Sequence, residues 1–458
     1  MITAPAYQGK TIGVFGLART GVTAVQSLTA SGAKVLAWDD DALKRVPVKA
    51  ALGDLYAADF TTLDALLLAP GVPLTHPEPH ALVKKAAESH TALISDIDVF
   101  EAARPSLPEH TAVAITGTNG KSTTTVLIGH MIEACGRSAA IGGNIGTGVL
   151  SLSALAAGGI YVFELSSFQL DLTQGFAADI AILLNISPDH IDRHGTFENY
   201  VAAKKQLFEM QTGKNPVAII GVDDTHGQDI AASLGQKVIA ISVEQKLNSG
   251  VYVADGTLFD CMGDTCLEVG SLLGSENLQG MHNWQNAAAA YAVGRCLGFT
   301  QQAIMQSFAS FPGLVHRQET VAAINGVRFV NDSKATNSDA AITALKSFDN
   351  IHWIAGGRAK DTSFRHLEGL MPRVKNAYFI GEAADLLAAD LGDAVASTKY
   401  PSLAEALDAA VAAAKPGDTI LLSPACTAFD QFADFEKRGE AFTGLVNTLV
   451  NSMEGSST

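Results

Sequence analysis

Cysteine is scarce and scattered. The five residues are Cys135, Cys261, Cys266, Cys296 and Cys426, and only Cys261 and Cys266 lie close together. With no second close pair and no histidine beside them, neither a disulfide framework nor a zinc site is expected. A reducing, cytoplasmic setting fits that usage. No apolar run approaches the ~20 residues that cross a bilayer, so no membrane insertion is expected. The stretch Met1 to Lys10 lacks the basic flank and apolar core of a signal peptide. Basic residues are outnumbered 31 to 47, for a net charge of −16. That balance excludes the broad basic face that nucleic-acid binding needs. It leaves room for a local phosphate site, which a helix end and one lysine can build inside a distant negative field. No tandem repeat of the length that builds solenoids is present, and the tail after Asn451 is short, polar and expected to fray.

What is present is a globular composition, 47% hydrophobic and 17% charged, in a chain of 458 residues. That length accommodates two to four domains. The first third alternates apolar strands with helices: Lys10 to Phe15, Lys34 to Trp38, Ala65 to Ala69 and Ala92 to Ile94 read as strands. Such alternation implies a parallel sheet. The turn Gly16-Leu-Ala-Arg-Thr-Gly21, with Asp39 after the second strand, approaches a dinucleotide-binding turn. Ala18 stands where the middle glycine belongs, and its methyl group hinders a pyrophosphate, so classical NAD binding is not expected. A purely structural turn stays open. Pro105 and Pro108 mark a linker, after which a second segment runs to about Pro312-Gly313. Within it, Lys237 to Glu268 reads as antiparallel strands. A third segment restarts the rhythm with strands at Val327 to Val330, His352 to Ala355, Ala377 to Ile380 and Thr419 to Leu422.

The most informative stretch is Thr111 to Thr125, which contains Thr116-Gly-Thr-Asn-Gly-Lys-Ser122. It reads as a buried strand, a glycine turn and a hydroxyl-rich helix start. Gly117 and Gly120 let backbone N–H groups point inward, and the helix N-terminus adds its partial positive charge. Lys121 would reach the outer phosphates and Ser122 would ligate magnesium. The usual phosphate-binding pattern has four residues between its first glycine and the Gly-Lys pair; here Gly117 precedes Gly120 by only three positions, and Ile115 stands where the first glycine would be. Glu164 ends the apolar run Ile160 to Phe163, one strand away, where a magnesium ligand belongs. His190 follows Asp189 at the end of another strand and reads as a second metal ligand. Arg317, ending the turn Phe311 to His316, suits a γ-phosphate clamp supplied from another domain. Asp332 and Lys334 follow a strand and so sit on a ligand edge, and Lys360 is placed to meet a carboxylate. Lys204 lies on a polar helix and, by its residues alone, is a solvated lysine.

The shortened loop resembles that of the Mur ligases, ATP-dependent enzymes that build the peptide of cell-wall precursors. Glu164-Leu-Ser-Ser-Phe-Gln-Leu170 and Gly142-Gly-Asn-Ile-Gly146 resemble the branch that adds D-glutamate to UDP-N-acetylmuramoyl-L-alanine. The resemblance implies an α/β fold of three domains. These are a Rossmann-like UDP-sugar domain over 1–104, a central P-loop ATPase-type domain over 105–313 and a Rossmann-like amino-acid domain over 314–458. It implies ATP bound by Gly117, Thr118, Asn119, Gly120, Lys121, Ser122 and Thr123, with Asn286 near adenine, Asp332 on the ribose, and Lys334 and Arg317 on phosphates. It implies two magnesium ions held by Ser122, Glu164, His190 and a carbamylated Lys204. The UDP-sugar would meet Arg19, Thr20, Asp39, Gly71, Asn144 and His190. D-Glutamate would meet Thr336, Lys360, Thr427 and Phe435. Ala428 departs from the family, which often has a serine there whose hydroxyl contacts D-glutamate. A cytoplasmic monomer is expected. An enzyme adding a diamino acid, or a folylpolyglutamate synthase-like enzyme, is the alternative within the family. A dehydrogenase built on the Gly16 turn leaves Gly117 to Ser122 unexplained, and a non-catalytic nucleotide-binding regulator leaves Glu164, His190 and Arg317 unexplained.

Overall fold

The computed structural model describes residues 1–454, which fall into two compact units dividing between Phe311 and Pro312. The first unit carries two sheets. The smaller has the order β2-β1-β3-β4, made of β1 (Thr11–Phe15), β2 (Lys34–Trp38), β3 (Ala65–Leu68) and β4 (Ala92–Ile94), all parallel. The chain reverses its direction of winding between β1 and β3, so a crevice opens at their carboxyl ends. Gly16 and Gly21 serve that turn. Gly16 has φ +91°, and a Cβ on Gly21 would lie 1.8 Å from the Gly16 carbonyl oxygen. Only glycine lets the helix Arg19–Ala30 start so close under the strand end.

The larger sheet has the order β13-β12-β11-β10-β9-β8-β5-β7-β6. Its strands are β5 (His110–Thr116), β6 (Ala139–Gly143), β7 (Gly159–Glu164), β8 (Ile180–Leu183), β9 (Val217–Gly221), β10 (Lys237–Ser242), β11 (Gly250–Ala254), β12 (Thr257–Cys261) and β13 (Leu267–Ser271). β5 lies between β7 and β8 and is buried on both faces, which explains its uninterrupted apolar run. The two sheets share one core: Ile12, Val14 and Leu67 pack in the same cluster as Ala114, Phe163 and Leu183.

Two expectations change here. β10 runs parallel to both β9 and β11, and only the β11–β12 and β12–β13 pairings are antiparallel. Turn residues in that stretch conceal a continuation of the parallel sheet before the meander begins. Cys261 and Cys266 are disulfide-bonded across the β12–β13 turn, so a single local bridge stands where none was expected. The first two residues of the glycine-rich string, Gly142 and Gly143, end the edge strand Ala139–Gly143.

The second unit is built on the order β14-β15-β19-β16-β17-β18, with β14 (Glu319–Ile324), β15 (Val327–Asn331), β16 (Ile351–Gly356), β17 (Val374–Ile380), β18 (Ser397–Lys399) and β19 (Thr419–Leu422). Four of these match the expected strands. β14 joins by a hairpin through Asn325-Gly326, the antiparallel addition at one edge, and β18 is a short polar edge strand without an apolar signature. The last helix runs from Phe435 to Glu454. Part of the tail expected to fray is therefore helical, and its end, 455–458, lies outside the described residues.

Candidate active site

The phosphate loop leaves β5 and enters the helix Lys121–Ala134 directly at Lys121, with Gly120 as its N-cap at φ +83°. A Cβ on Gly120 would lie 2.3 Å from the Asn286 side-chain oxygen. That oxygen accepts from Thr124 Oγ1 at 3.0 Å, so Asn286, 2% exposed, braces the helix start. The loop is pinned on its other side. Asn185 accepts from Thr118 N through its carbonyl at 2.9 Å and from Asn119 N through Oδ1 at 2.8 Å. Thr118 Oγ1 lies 2.9 Å from the Tyr200 hydroxyl. The first amides of the helix, which have no carbonyl a turn before them, remain to face an anion. Lys121 Nζ folds back on its own loop, donating to Gly117 O at 2.9 Å and Thr118 O at 2.7 Å. Ser122 and Thr123 are buried in the first helical turn.

Glu164 and Asn144 are neighbours across the β6–β7 register, in which Gly143 is opposite Glu164. Asn144 Nδ2 donates to Glu164 Oε1 at 2.7 Å, and Asn144 N donates to the Glu164 carbonyl at 2.9 Å. The second carboxylate oxygen, Oε2, is buried with no hydrogen-bond partner. An orphaned carboxylate oxygen beside a phosphate loop is what a divalent cation satisfies. The residues therefore fit the metal that the sequence implied.

Lys204 corrects its own residue-level reading. It is 1% exposed, not solvated, and its ammonium donates to Gly117 O at 2.7 Å beneath the loop, 4.6 Å from the Tyr200 ring centre. Burial, helped by the charge of Lys121, pushes its pKa well below that of an ordinary lysine. His190 takes φ +52° as the residue before the short helix Ile191–His194. Its ring lies half-exposed, 3.4 Å from Asp189 Oδ2 and 4.9 Å, ring centre to ring centre, from Phe168. Beside the loop, at the carboxyl ends of β8 to β10, a cleft of about 280 Å³ is lined by Asn185, Ile186, Asp224, Val243, Met281 and Gln285, among others.

In the smaller sheet, Asp39 accepts from Leu17 N at 2.6 Å and from Asp41 N at 2.9 Å, so it also braces the Gly16 turn. Arg19 donates to the Gly146 carbonyl, which ties that turn to the loop after β6. Thr20 accepts from the Thr23 hydroxyl through its carbonyl, and Gly71 is exposed past the end of β3.

In the second unit, the loops after β15, β16 and β19 gather at one sheet edge. Asp332 is buried, accepting from Ser423 Oγ at 2.8 Å and Gln318 N at 3.2 Å. Burial raises its carboxyl to about 7, with Arg317 opposing. Lys334 Nζ stands 5.8 Å over the Phe435 ring, and Thr336 follows on the same loop. Thr427 Oγ1 donates to Arg358 O at 2.9 Å, and paired backbone bonds join Thr427 to Arg358, two residues before the exposed Lys360. Ala428 is buried, so no hydroxyl points from that position.

Sequence reasoning missed the residues that hold these loops. Asn185, Gln285 and Tyr200 brace the phosphate loop. Arg438, 1% exposed, donates to Ser333 Oγ and O at 3.0 and 2.9 Å, Cys426 O at 3.1 Å and Gly356 O at 3.3 Å. Their signal was weak: an amide at a strand end, and one arginine in the charged helix start Glu436-Lys-Arg-Gly-Glu440.

Residues 115–294 match the Mur ligase middle domain, and 316–426 match the Mur ligase glutamate ligase domain. The UDP-N-acetylmuramoylalanine--D-glutamate ligase of Phenylobacterium zucineum is 47% identical over 98% of this chain and 99% of its own. The chain belongs to the Mur ligase family. The enzyme of the same name from Bradyrhizobium diazoefficiens is 45% identical over 98% of each chain. Two solved members share the fold at low identity. UDP-N-acetylmuramate-alanine ligase MurC from Thermotoga maritima has TM-score 0.58 and 15% identity, covering 96% of this chain and 99% of that one. MurF from the same organism, solved with ADP, has TM-score 0.57 and 17% identity, covering 96% of both. Among the described residues no helix is long and apolar enough to cross a membrane.

Proposed function

We propose that this Mur ligase joins D-glutamate to UDP-N-acetylmuramoyl-L-alanine at the expense of ATP, as its full-length relatives are named to do. In this reading, residues 1–104 hold the UDP-sugar, 105–313 bind ATP and 314–458 bind the amino acid, in a cytoplasmic monomer. The observation that carries it is the Asn144–Glu164 pair. The two strings meet at the carboxyl ends of adjacent strands, and the amide fixes one carboxylate oxygen while the other stays buried and unsatisfied.

Glu164, Ser122, His190 and Lys204 are the residues that would hold magnesium, two ions in this reading. The metal supplies charge neutralisation at the transferring phosphoryl group. The helix-start amides and Lys121 orient the phosphates, and Lys121 swings from its own loop carbonyls to an anion when one arrives. The substrate carboxylate attacks the γ-phosphorus, which releases ADP and leaves an acyl phosphate. The amine of D-glutamate adds to that carbonyl, and the tetrahedral intermediate expels phosphate. Lys204 in its neutral form can add carbon dioxide and lose a proton, which gives an anionic carbamate; its burial favours the neutral amine. Thr336, Lys360, Thr427 and Phe435 are the proposed D-glutamate residues, and Asp332, Lys334, Arg317 and Asn286 the further ATP residues. Arg19, Thr20, Asp39, Gly71, Asn144 and His190 are the proposed UDP-sugar residues.

ADP release measured across amino acids tests the reading. D-Glutamate with UDP-N-acetylmuramoyl-L-alanine should support turnover. Equal turnover with L-lysine or meso-diaminopimelate would overturn the assignment in favour of another Mur-type ligase.

A further inference from the structure

Asn185 spends its carbonyl and both polar atoms of its side chain on three residues, Thr118, Asn119 and Gln285. Its carbonyl and Oδ1 accept the consecutive amides of Thr118 and Asn119 at 2.9 and 2.8 Å. Its Nδ2 donates to Gln285 Oε1 at 2.7 Å, with a longer bond of 3.3 Å to Asn119 O. The phosphate loop is thus clipped through one side chain, whose orientation is set by another. Were the Asn185 amide reversed, its NH₂ would face the Asn119 N–H, donor against donor. The acceptor oxygen of Gln285 opposes that reversal. Gln285 stands on the helix Met281–Cys296 and lines the 280 Å³ cleft beside the loop. A ligand in that cleft that accepts from Gln285 Nε2 holds its Oε1 on Asn185, and Asn185 Oδ1 on the loop.

We propose that Asn185 and Gln285 form a positioning relay that couples occupancy of the base-sized cleft to the geometry of the phosphate loop. This rests on the nucleotide reading above, which puts the phosphates on the loop, and adds to it that the base occupies the neighbouring cleft. Neither residue is assigned contact with the reacting atoms. The relay withdraws the amides of Thr118 and Asn119 from the anion, which directs the phosphates to the amides at the helix start. It also gives a nucleotide an advantage over a bare polyphosphate that direct contacts to the base do not account for.

Two measurements on the full chain decide it. Hydrogen–deuterium exchange of the loop peptide in the ligand-free enzyme reads the clip without any nucleotide. Calorimetric binding of Mg·ATP reads its consequence. In Asn185→Ala, loop exchange should accelerate and the Kd for Mg·ATP should rise about tenfold, the worth of one or two hydrogen bonds. The KM for the amino acid and the melting temperature should stay near those of the parent, which a merely structural loss would not spare. Gln285→Leu should show the same pattern with a smaller loop effect. The double variant should exchange no faster at the loop than Asn185→Ala alone, because Gln285 reaches the loop only through Asn185. Unchanged loop exchange in Asn185→Ala, or loop effects of the two substitutions that multiply, would overturn the relay. A parent enzyme that fails to bind Mg·ATP would instead sink the nucleotide reading, and loop exchange would still decide the clip.

Discussion

The two compact units hold their ligand-edge loops by opposite chemistry. In the first, the phosphate loop is braced by neutral carboxamides, Asn185 and Asn286, by a glycine where any side chain would strike Asn286, and by Lys204 on Gly117 O, whose burial favours the uncharged amine. In the second, three strand-end loops are gathered by the buried cation Arg438, which takes carbonyls from Ser333, Gly356 and Cys426. The difference follows from what each edge must present. An anion-binding loop needs amide hydrogens and positive potential facing outward, and braces that carry no charge leave that potential intact. Loops gathered around inward-facing carbonyls need a donor with many hydrogens at their centre, and guanidinium supplies five. The cost is desolvation, which lowers Arg438 to about 10.

The comparison breaks most sharply at Lys121. Its head group donates to carbonyls of its own loop, so Lys121→Ala should leave folding intact. Turnover should fall roughly 10³-fold, the scale of losing a preorganised charge at a transferring phosphoryl group. Near-normal turnover with an unchanged circular dichroism spectrum would make the loop structural. Lys204→Ala should cost somewhat less and differ in kind, because removing a buried side chain leaves space under the loop. Formate or acetate should restore part of the activity of Lys204→Ala, saturably, and none of that of Lys121→Ala. Full activity of Lys204→Ala without added acid would refute a metal-site role.

The next step down tests the second unit. Arg438→Met removes four hydrogen bonds, to the Ser333 hydroxyl and to the carbonyls of Ser333, Gly356 and Cys426, and leaves those buried carbonyls without this donor. It should destabilise this unit by roughly 2–4 kcal/mol. Calorimetry should then resolve an early transition from the second unit while the first melts as before. A uniform shift of one transition would show that the braces are not local.

The phosphate loop, the Glu164 strand end and most strands were legible because each rests on local rules: apolar runs, glycine turns and a carboxylate closing a buried strand. What was not legible depends on pairing across the sheet. Lys204 reads as solvated because its helix neighbours are polar, Val201-Ala-Ala-Lys-Lys-Gln206, and only the fold shows that this face lies under Gly117. Asn185 and Arg438 carry no motif, since their partners are backbone groups contributed by distant segments. β18 escaped because three residues of polar edge strand have no periodicity to detect. The Cys261–Cys266 bridge escaped because spacing along the chain does not report the turn that brings the two sulfurs together.

The smallest expected effect concerns Asp332, where a carboxylate is buried in the unit whose loops are held by a cation. Its folded pKa of about 7 exceeds the 3.8 of an unperturbed aspartate, chiefly through burial. The folded state therefore keeps the proton to higher pH than the unfolded chain does. The stability this lends is fully present below pH 3.8 and is lost progressively as pH rises to about 7. Asparagine cannot ionise, so Asp332→Asn should lack that decline. Its carboxamide keeps an oxygen for the Gln318 amide or the Ser423 hydroxyl, but not two equal acceptors, so part of the gain is offset. Relative to the parent, the variant should gain about 1–2 kcal/mol between pH 4 and pH 7 and nothing further above, less than the full ~1.4 kcal/mol per pKa unit. Melting temperatures of the second unit across that window read the difference directly. Parallel curves for parent and variant would mean that Arg317 and Arg438 keep this carboxylate charged throughout, which would make the second edge an ion-paired site and erase the contrast with the neutral braces of the first.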